Sequence, residues 1–471
     1  MTVETANDLV IIVPGILGSR LVRVDGDDRT VVWDLRAGVL PRTLRELHRM
    51  GRALRAAGDT WAPSPDDGIV ADALLSDPAW LPGFFGVDGY TAMTDRLRIA
   101  LGERLLTYPY DWRLSNADNA ERLRDAVLPE LEDWRKRPGR RGAKLIFVCH
   151  SMGGLLVRYF CEHLGGAADT RQIITFGTPY RGSMKALAIL ANGKRLGSLQ
   201  LGTVARALPS VWELLPQYPC VGVDGTNRHP ADAGLDALDD PRFAAARMFH
   251  ARIREPVEAR AARGEACPYR QTVLFGRIQS TVQFARREAG RLRVLKPGEN
   301  GSPDHGGDGT VPSFASFPIE WDSTAGAIPL LDKHAAMPGR AAALENLVNE
   351  LAPADISGFK APGPGESDID GIAAALDVPT DLPADGVATV RVVSAAPRVV
   401  VELTDHLRGD RTTTIAEAVG ETDPRGIVSV CRLGPLPEGS YTVVARTPGA
   451  TVSDHFVVWD PAEAAEPDEF S

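Results

Sequence analysis

The stretch Lys144-Leu145-Ile146-Phe147-Val148-Cys149-His150-Ser151-Met152-Gly153-Gly154 decides the fold of this chain. Its apolar first half predicts a buried strand, and the residues from Gly153 to Leu164 predict the helix that follows. Ser151 therefore stands at a turn between a strand and a helix. This context is typical of a nucleophile elbow, in which a strained turn exposes a serine hydroxyl. The usual pattern is Gly-x-Ser-x-Gly, and here Cys149 takes the place of the first glycine. The competing interpretation is an ordinary turn between strand and helix.

Composition limits what the rest of the chain can be. The 471 residues are too many for one ordinary domain, and the hydrophobic fraction of 44% with 24% charged residues is typical of a globular protein. The formal net charge of -10 argues against a general nucleic-acid binder, because phosphate contacts require a clustered basic surface. Five cysteines without a Cys-x-x-Cys pair favour a reduced, cytoplasmic protein.

Membrane insertion is not expected from the hydropathy pattern. The apolar run Leu9–Val13 is too short for a secretory signal and lacks a basic flank, so it is interpreted as a buried strand. No run approaches the ~18 apolar residues that a membrane span requires. If the substrate is a lipid, we expect the protein to meet it from the aqueous side.

Alternation of strands and helices over the first three quarters of the chain predicts a mostly parallel sheet with both faces covered. We expect an α/β domain over residues 1–352, with cap or lid insertions that include part of residues 183–300. The stretch from Val22 to Asp88 is interpreted as polar with helical pieces. A Pro- and Gly-rich linker is predicted over residues 353–385, and an all-β module resembling an immunoglobulin sandwich over 386–460. Residues 461–471 form an acidic tail.

A serine nucleophile needs a histidine base, which in this class of fold follows the serine late in the chain. His334 lies on a polar loop between a predicted strand and a predicted helix, where the base belongs. His305, in a glycine-rich loop, is the main rival. His150 is adjacent to Ser151 and is expected to point elsewhere and to have a structural role.

The base in turn needs a carboxylate that orients it, between the serine and the histidine in chain order. Asp308 is the first choice, because the glycines of Gly306-Gly307-Asp308-Gly309 free the backbone to present one carboxylate. Asp304 and Asp332 are the rival carboxylates. A solvated turn aspartate is the structural alternative.

Two backbone N–H groups are expected to bind the oxyanion of a tetrahedral intermediate. One belongs to Met152, the residue after the nucleophile. The second belongs to the loop Pro14–Ser19 after the first strand, and Ile16 is the preferred donor. No metal site is expected, because no group of His or carboxylate residues has ligand spacing, and no cofactor is indicated.

These motifs, in their order along the chain, resemble the lecithin:cholesterol acyltransferase family of α/β-hydrolases. The segments that carry the resemblance are Pro14-Gly15-Ile16-Leu17-Gly18-Ser19, Tyr108-Pro109-Tyr110-Asp111-Trp112-Arg113, His150-Ser151-Met152-Gly153-Gly154, Gly177-Thr178-Pro179-Tyr180-Arg181-Gly182-Ser183, Leu214-Leu215-Pro216 and Gly307-Asp308-Gly309-Thr310-Val311-Pro312. The resemblance implies a catalytic triad of Ser151, Asp308 and His334, with Ile16 and Met152 as oxyanion donors. It also implies a lid near residues 33–85.

The function implied is that of a serine hydrolase or O-acyltransferase. Such an enzyme cleaves an ester, here a lipid or phospholipid, through an acyl-serine intermediate and passes the acyl group to water or an alcohol. Contact with a lipid surface is expected, and the sequence does not indicate an oligomeric state. The alternative hypothesis is a conditional or inert hydrolase-fold protein whose C-terminal β module binds a partner.

Overall fold

A computed structural model describes most of residues 7–351 and the strands between residues 374 and 459. Outside the description lie residues 1–6, 35–44, 47–48, 50–62, 77–78, 81–85, 88, 194, 197–198, 289–290, 296–297, 300–303, 323–325, 352–373, 379–380, 384–385, 395–397, 406–410, 420, 424–425, 438, 448–449 and 460–471. The chain divides into two compact units, residues 1–194 with 199–353 and residues 195–198 with 354–471. The predicted acidic tail and most of the predicted linker lie outside the described residues.

Strands and helices alternate along the first 351 residues. The strands are β1 (Leu9–Val13), β2 (Ser19–Asp25), β3 (Asp28–Trp33), β4 (Ile69–Leu74), β5 (Ala79–Trp80), β6 (Gly86–Val87), β7 (Leu105–Thr107), β8 (Leu145–His150), β9 (Thr170–Phe176), β10 (Arg195–Leu196), β11 (Leu199–Gln200), β12 (Val221–Val223), β13 (Thr226–Arg228), β14 (Arg270–Gly276), β15 (Phe284–Glu288), β16 (Arg291–Leu295) and β17 (Ile328–Leu330). The helices are α1 (Thr91–Leu101), α2 (Asn116–Arg135), α3 (Gly153–Glu162), α4 (Met184–Asn192), α5 (Leu201–Ala207), α6 (Pro209–Trp212), α7 (Pro241–Ala262) and α8 (Ala341–Leu351).

The central sheet has six strands in the order β17-β14-β9-β8-β1-β7, and all five pairings are parallel. Side chains alternate between the two faces of a strand. Val10 and Ile12 of β1 therefore share a core with α1 and α8, whereas Phe147 of β8 packs edge-on against Phe160 of α3 at 5.7 Å between ring centroids. The first unit is an α/β fold with helices on both faces of its sheet, as the sequence predicted.

Two groups of insertions depart from the simple alternation. One is an antiparallel sheet of order β3-β2-β4, where the sequence predicts a polar stretch with helical pieces. The other consists of the helices α4 to α7 and the sheet β13-β12-β15-β16. The helices and the strands β12 and β13 precede β14 in the chain, and β15 and β16 follow it. Much of the expected lid over residues 33–85 lies outside the described residues.

The second unit is all β, as predicted. Its strands are β18 (Ala374–Asp377), β19 (Asp381–Pro383), β20 (Ala388–Ser394), β21 (Arg398–Asp405), β22 (Arg411–Val419), β23 (Glu421–Asp423), β24 (Gly426–Leu433), β25 (Gly439–Thr447) and β26 (Ala450–Trp459). They form the sheets β18-β20-β24-β23 and β19-β26-β25-β21-β22. Both sheets contribute to one core, with Val392 from one and Phe456 from the other. The Tyr441 hydroxyl donates to the Pro437 carbonyl at 2.7 Å, the arrangement of a tyrosine corner in immunoglobulin-like sandwiches.

Strand pairing begins earlier than the predicted module start at residue 386. Ala374–Asp377 pairs with β20, and Asp381–Pro383 pairs with β26. Both segments fall in the stretch that we predicted as linker from its Pro and Gly content. A short strand can tolerate such residues at a sheet edge.

In the described part of the chain, no helix is long and apolar enough to span a membrane. All five cysteines lie in described residues and none forms a disulfide; Cys267 is exposed and the other four are buried.

Candidate active site

Ser151 is the first residue after β8 and has a left-handed backbone conformation, with φ of 50°. Residues other than glycine rarely adopt this backbone conformation, which costs on the order of 1–3 kcal/mol of conformational free energy. Its N–H donates to the Phe176 carbonyl of β9 at 2.8 Å, which fixes the turn to the neighbouring strand. This is the sharp elbow that the sequence pattern predicted at Ser151.

Neighbouring loops approach the two positions after Met152 so closely that only glycine fits there. A Cβ atom on Gly153 would lie 2.4 Å from the Pro14 carbonyl oxygen, and one on Gly154 would lie 2.2 Å from Thr178 Oγ1. The Thr178 hydroxyl also donates to the Ser151 carbonyl at 2.9 Å. The start of α3 is therefore packed directly on the loops that follow β1 and β9.

The structure brings the three predicted triad side chains together. His334 Nε2 lies 2.7 Å from Ser151 Oγ, and His334 Nδ1 lies 2.7 Å from Asp308 Oδ2. The His334 N–H also donates to the Asp308 carbonyl at 2.9 Å. All three residues are buried, with at most 4% of their surface exposed. A serine, an imidazole and a carboxylate thus stand in one hydrogen-bonded series.

Asp308 is held so that only one carboxylate oxygen faces the histidine. Its Oδ1 accepts the N–H groups of Thr310 at 2.9 Å and Val311 at 2.6 Å, which leaves Oδ2 for His334. Gly177 has φ of 57°, and a Cβ there would lie 2.8 Å from Asp308 Oδ2. The glycine therefore leaves room for the carboxylate beside the imidazole.

The rival residues have other contacts. The exposed His305 packs its ring edge-on against Phe314 at 5.4 Å between ring centroids. Asp304 Oδ1 accepts the Gly306 N–H at 2.9 Å. Asp332 pairs with Arg340 at 2.6 Å, and burial raises the pKa of its carboxyl group. Ser151 is hydrogen bonded to His334 and not to a rival histidine.

The loop Pro14–Ser19 lies against the elbow. A Cβ on Gly15 would lie 2.9 Å from Ser151 Cβ, and the next residues turn back because Gly18 N–H donates to the Gly15 carbonyl at 3.1 Å. Within the described part of the chain, the N–H groups of Ile16 and Met152 have no hydrogen-bond acceptor. Two backbone donors near the serine are therefore free to bind a developing negative charge.

Comparison with known proteins agrees with this architecture. Residues 98–231 match the family model for lecithin:cholesterol acyltransferase. Over this segment the chain is similar to the lecithin:cholesterol acyltransferase family. The matched segment contains Ser151 and Met152 but not Ile16, Asp308 or His334, so the placement of those three residues comes from the structure.

The curated relatives match only part of the chain. Phosphatidylcholine-sterol acyltransferase from Gallus gallus is 32% identical over 94 residues, covering 19% of this chain and 21% of that protein. Lysosomal phospholipase A and acyltransferase from Rattus norvegicus is 28% identical over 123 residues, covering 24% and 29%. The chain thus spans less than a third of the length of these curated relatives. Lipase BlEst2 of Bacillus licheniformis in propeptide form aligns with 97% of this chain and 76% of its own, at 12% identity and a TM-score of 0.30.

Tyr90 and His150 are site residues whose contacts the sequence did not reveal. The Tyr90 hydroxyl accepts the Gly15 N–H at 2.8 Å and lies 2.8 Å from His150 Nδ1. His150 Nε2 lies 2.9 Å from the His334 carbonyl oxygen. Burial, with a smaller contribution from His334, lowers the pKa of His150 to about 3. No sequence pattern marked Tyr90, because it lies just before α1 and far from the elbow in sequence.

Arg113, in the motif Tyr108–Arg113, is held by two carboxylates. It is buried and pairs with both Asp111, at 2.5 Å, and Asp67, at 2.7 Å. The Trp112 indole N–H donates to the Ser19 carbonyl at 3.3 Å, at the end of the loop that holds Ile16. These contacts are all between protein groups, which favours a structural role for Trp112 and Arg113.

Among the described residues, no group of three or more His, Cys, Asp and Glu side chains is placed to hold a metal ion.

Proposed function

We propose that this chain is a serine-dependent acyl-transfer enzyme that cleaves a lipid or phospholipid ester through an acyl-Ser151 intermediate. The observation that carries the proposal is the hydrogen-bonded series from Ser151 Oγ through His334 to Asp308, with 2.7 Å at each step. The strained elbow and the two free amides supply the other parts that acyl transfer requires.

In the first half-reaction, His334 Nε2 takes the hydroxyl proton as Ser151 Oγ attacks the carbonyl carbon. The N–H groups of Ile16 and Met152 bind the oxyanion of the tetrahedral intermediate. The bond to the leaving alcohol then breaks, and His334 gives that alcohol the proton. Asp308 holds Nδ1–H throughout and stabilises the imidazolium that forms.

The second half-reaction runs the same steps with a new nucleophile. Water or an alcohol gives its proton to His334 Nε2 and attacks the acyl carbon. The bond to Ser151 Oγ breaks, and the serine recovers the proton from the imidazolium. Water yields a carboxylic acid and an alcohol yields a new ester, so the acceptor that reaches the acyl carbon decides the activity.

The lipid class of substrate is supported by the names of the relatives. One is a phosphatidylcholine-sterol acyltransferase and another a lysosomal phospholipase A and acyltransferase. A substrate of this kind requires the enzyme to meet a lipid surface from the aqueous side. A cytoplasmic location is part of the proposal, supported by cysteines that form no disulfide.

A fluorophosphonate probe tests the nucleophile. We expect wild type to react and the label to map to the peptide that contains Ser151, while Ser151→Ala remains unlabelled. Since Ser210 is a buried serine outside the hydrogen-bonded series, Ser210→Ala is the matched control and should react like wild type. Equal labelling of wild type and Ser151→Ala would refute the proposal.

The acyl acceptor is tested by product analysis. Vesicles of phosphatidylcholine with a radiolabelled acyl chain are incubated with the enzyme, with and without a long-chain alcohol in the bilayer. A lipid hydrolase releases free fatty acid in both conditions, whereas an acyltransferase produces labelled fatty ester when the alcohol is present. Neither product, from an enzyme that cleaves water-soluble esters, would contradict the lipid class while leaving the serine mechanism intact.

A further inference from the structure

Tyr90 and His150 lie between the two halves of the candidate site. On one side the Tyr90 hydroxyl accepts the N–H of Gly15, the neighbour of Ile16. On the other side His150 Nε2 meets the carbonyl oxygen of His334. Tyr90 Oη and His150 Nδ1 join the two sides at 2.8 Å. Both side chains are almost fully buried, with 1% of their surface exposed.

The donors and acceptors fix every proton in this series. The Gly15 N–H is a donor, so Tyr90 Oη accepts it and its own hydrogen is directed to His150 Nδ1. The imidazole then carries its proton on Nε2, which donates to the carbonyl of His334. The low pKa of His150, about 3, keeps this ring neutral at any pH at which the protein would be assayed. Every donor in the series therefore meets an acceptor, from the Gly15 N–H to the His334 carbonyl.

We infer that Tyr90 and His150 are positioning residues. They hold the loop Pro14–Ser19 and the loop that carries His334 at a fixed separation on either side of the elbow. This inference rests on the proposed function of Ser151 and His334. Neither side chain is hydrogen bonded to Ser151 Oγ; each acts through a backbone group of a residue at the site. Ile16 N–H and His334 Nε2 must both be aligned with one reacting carbonyl, and errors of about 1 Å can cost on the order of 100-fold in rate.

The transition state should be affected more than substrate binding. Loss of the Tyr90 hydroxyl frees Gly15 and leaves His150 Nδ1 unpaired, without removing a surface that binds the acyl chain. We therefore expect Tyr90→Phe to lower kcat on p-nitrophenyl butyrate by about 10- to 100-fold and to change KM by less than about twofold. Rates are expressed per site titrated with the fluorophosphonate, so that unfolded protein does not contribute.

Tyr108→Phe is the matched control. The Tyr108 hydroxyl donates to the Asn119 carbonyl at 3.2 Å, away from the series described above. Its kcat and KM should equal those of wild type. If Tyr90→Phe retains the kcat of Tyr108→Phe per titrated site, the positioning role is wrong even where the variant is less stable.

Two variants of His150 provide a second, independent comparison. Glutamine carries its amide nitrogen about as far from the backbone as imidazole Nε2, so His150→Gln can still donate to the His334 carbonyl. Asparagine is shorter and cannot reach it. We expect His150→Gln to retain at least about fivefold more kcat than His150→Asn. Equal rates, or the reverse order, would overturn the role of His150.

A trifluoromethyl ketone, which forms a tetrahedral adduct with a serine, separates positioning from a general loss of structure. Across these variants its inhibition constant should rise by the same factor as kcat/KM falls, while KM stays constant. An inhibition constant that does not follow kcat/KM would contradict the inference.

If wild type neither reacts with the fluorophosphonate nor cleaves the ester, the proposed function has failed and this inference fails with it. A labelled, active wild type with unaffected variants refutes this inference alone.

Discussion

Ser151 combines a reactive side chain with an unfavourable backbone conformation. Its φ of 50° belongs to the region that favours glycine. The pattern around Ser151 predicted this strain, because a serine between a buried strand and two glycines matches the elbow. The Tyr90 and His150 contacts were not predicted, because they join residues 60 positions apart and no local pattern encodes such a meeting.

Relief of that strain is measurable in two inactive variants. At Ser151, glycine should be at least as stable as alanine, because release of strain of about 1–2 kcal/mol offsets the extra chain entropy of glycine. At Ser210, within the short helix α6, alanine should be more stable than glycine by about 1 kcal/mol. Urea unfolding of the four variants gives both differences. The same preference for alanine at both positions would show that the elbow is not strained.

Asp308 makes a sharper prediction about rate. In Asp308→Asn the side-chain shape is kept, but the amide cannot stabilise an imidazolium and can present a donor to His334 Nδ1. We expect kcat to fall by about a thousandfold or more with little change in unfolding free energy. Asp304→Asn, at the rival carboxylate in the same loop, should retain wild-type turnover. Steady-state kinetics on a soluble ester compares the two variants, and similar activities would remove Asp308 from the mechanism.

At the scale of elements, buried strands and amphipathic helices were predicted well. The spacing of apolar residues from Asn116 to Trp134 predicts a helix, with Ser115 or Asn116 as its cap. The helix observed is Asn116–Arg135, and Ser115 is the cap, because its Oγ accepts the Asp118 N–H at 3.0 Å. The hairpin β2–β3 was missed. Its signal was present in Asp25-Gly26 between runs of alternating residues, but charged residues on its exposed positions made the stretch look like a polar loop.

Glu213 joins two elements in a way the sequence did not reveal. It follows α6, and its Oε2 accepts both the N–H and the side-chain amide of Asn116 at the start of α2, each at 2.7 Å. Burial nevertheless raises the pKa of Glu213 to about 8, since the Asn116 bonds offset only part of the cost of a buried charge. The carboxyl group is therefore mostly protonated at neutral pH.

Because the pKa of Glu213 is raised in the folded state, its protonated carboxyl group contributes to stability at low pH. This contribution is lost as pH rises toward 8. Between pH 6.5 and 8 the folded state alone holds this proton, so the free energy of unfolding should fall by up to about 1.4 kcal/mol per pH unit. In Glu213→Gln this part of the slope should vanish. Glu265→Gln, at an exposed carboxylate paired with Arg263, should keep it. Urea unfolding at pH 6.5, 7.25 and 8 measures the slope, and an unchanged slope in Glu213→Gln would refute the assignment.

At the scale of the whole molecule, the order of the reacting groups along the chain is readable from the sequence, but their proximity in space is not. Ser151 and His334 are 183 positions apart, and Asp308 lies 26 positions before the histidine. They meet because β8, β14 and β17 are parallel and their carboxyl ends lie at one edge of the sheet. The fold class therefore predicted the site better than local spacing did. The choice among the candidate histidines and carboxylates depended on the three-dimensional positions of their loops, which the sequence does not show.

The second unit has its own core, so the two units should be separable. A chain of residues 1–353 retains the whole described site and the core of the central sheet. We expect it to fold and to cleave soluble esters within about twofold of the full-length kcat. A loss of vesicle activity alone would support the alternative hypothesis, in which the β module recruits a partner or a surface. Loss of soluble-ester turnover by a folded truncation would show that the first unit is not sufficient.

The most direct measurement of the central claim is rapid-quench mass spectrometry of the enzyme mixed with a soluble ester. The account predicts an acyl adduct that forms within the first turnover, maps to the peptide that contains Ser151, and disappears as product is released. Ester cleavage without any acyl adduct, or with the acyl group on another residue and full activity in Ser151→Ala, would contradict it.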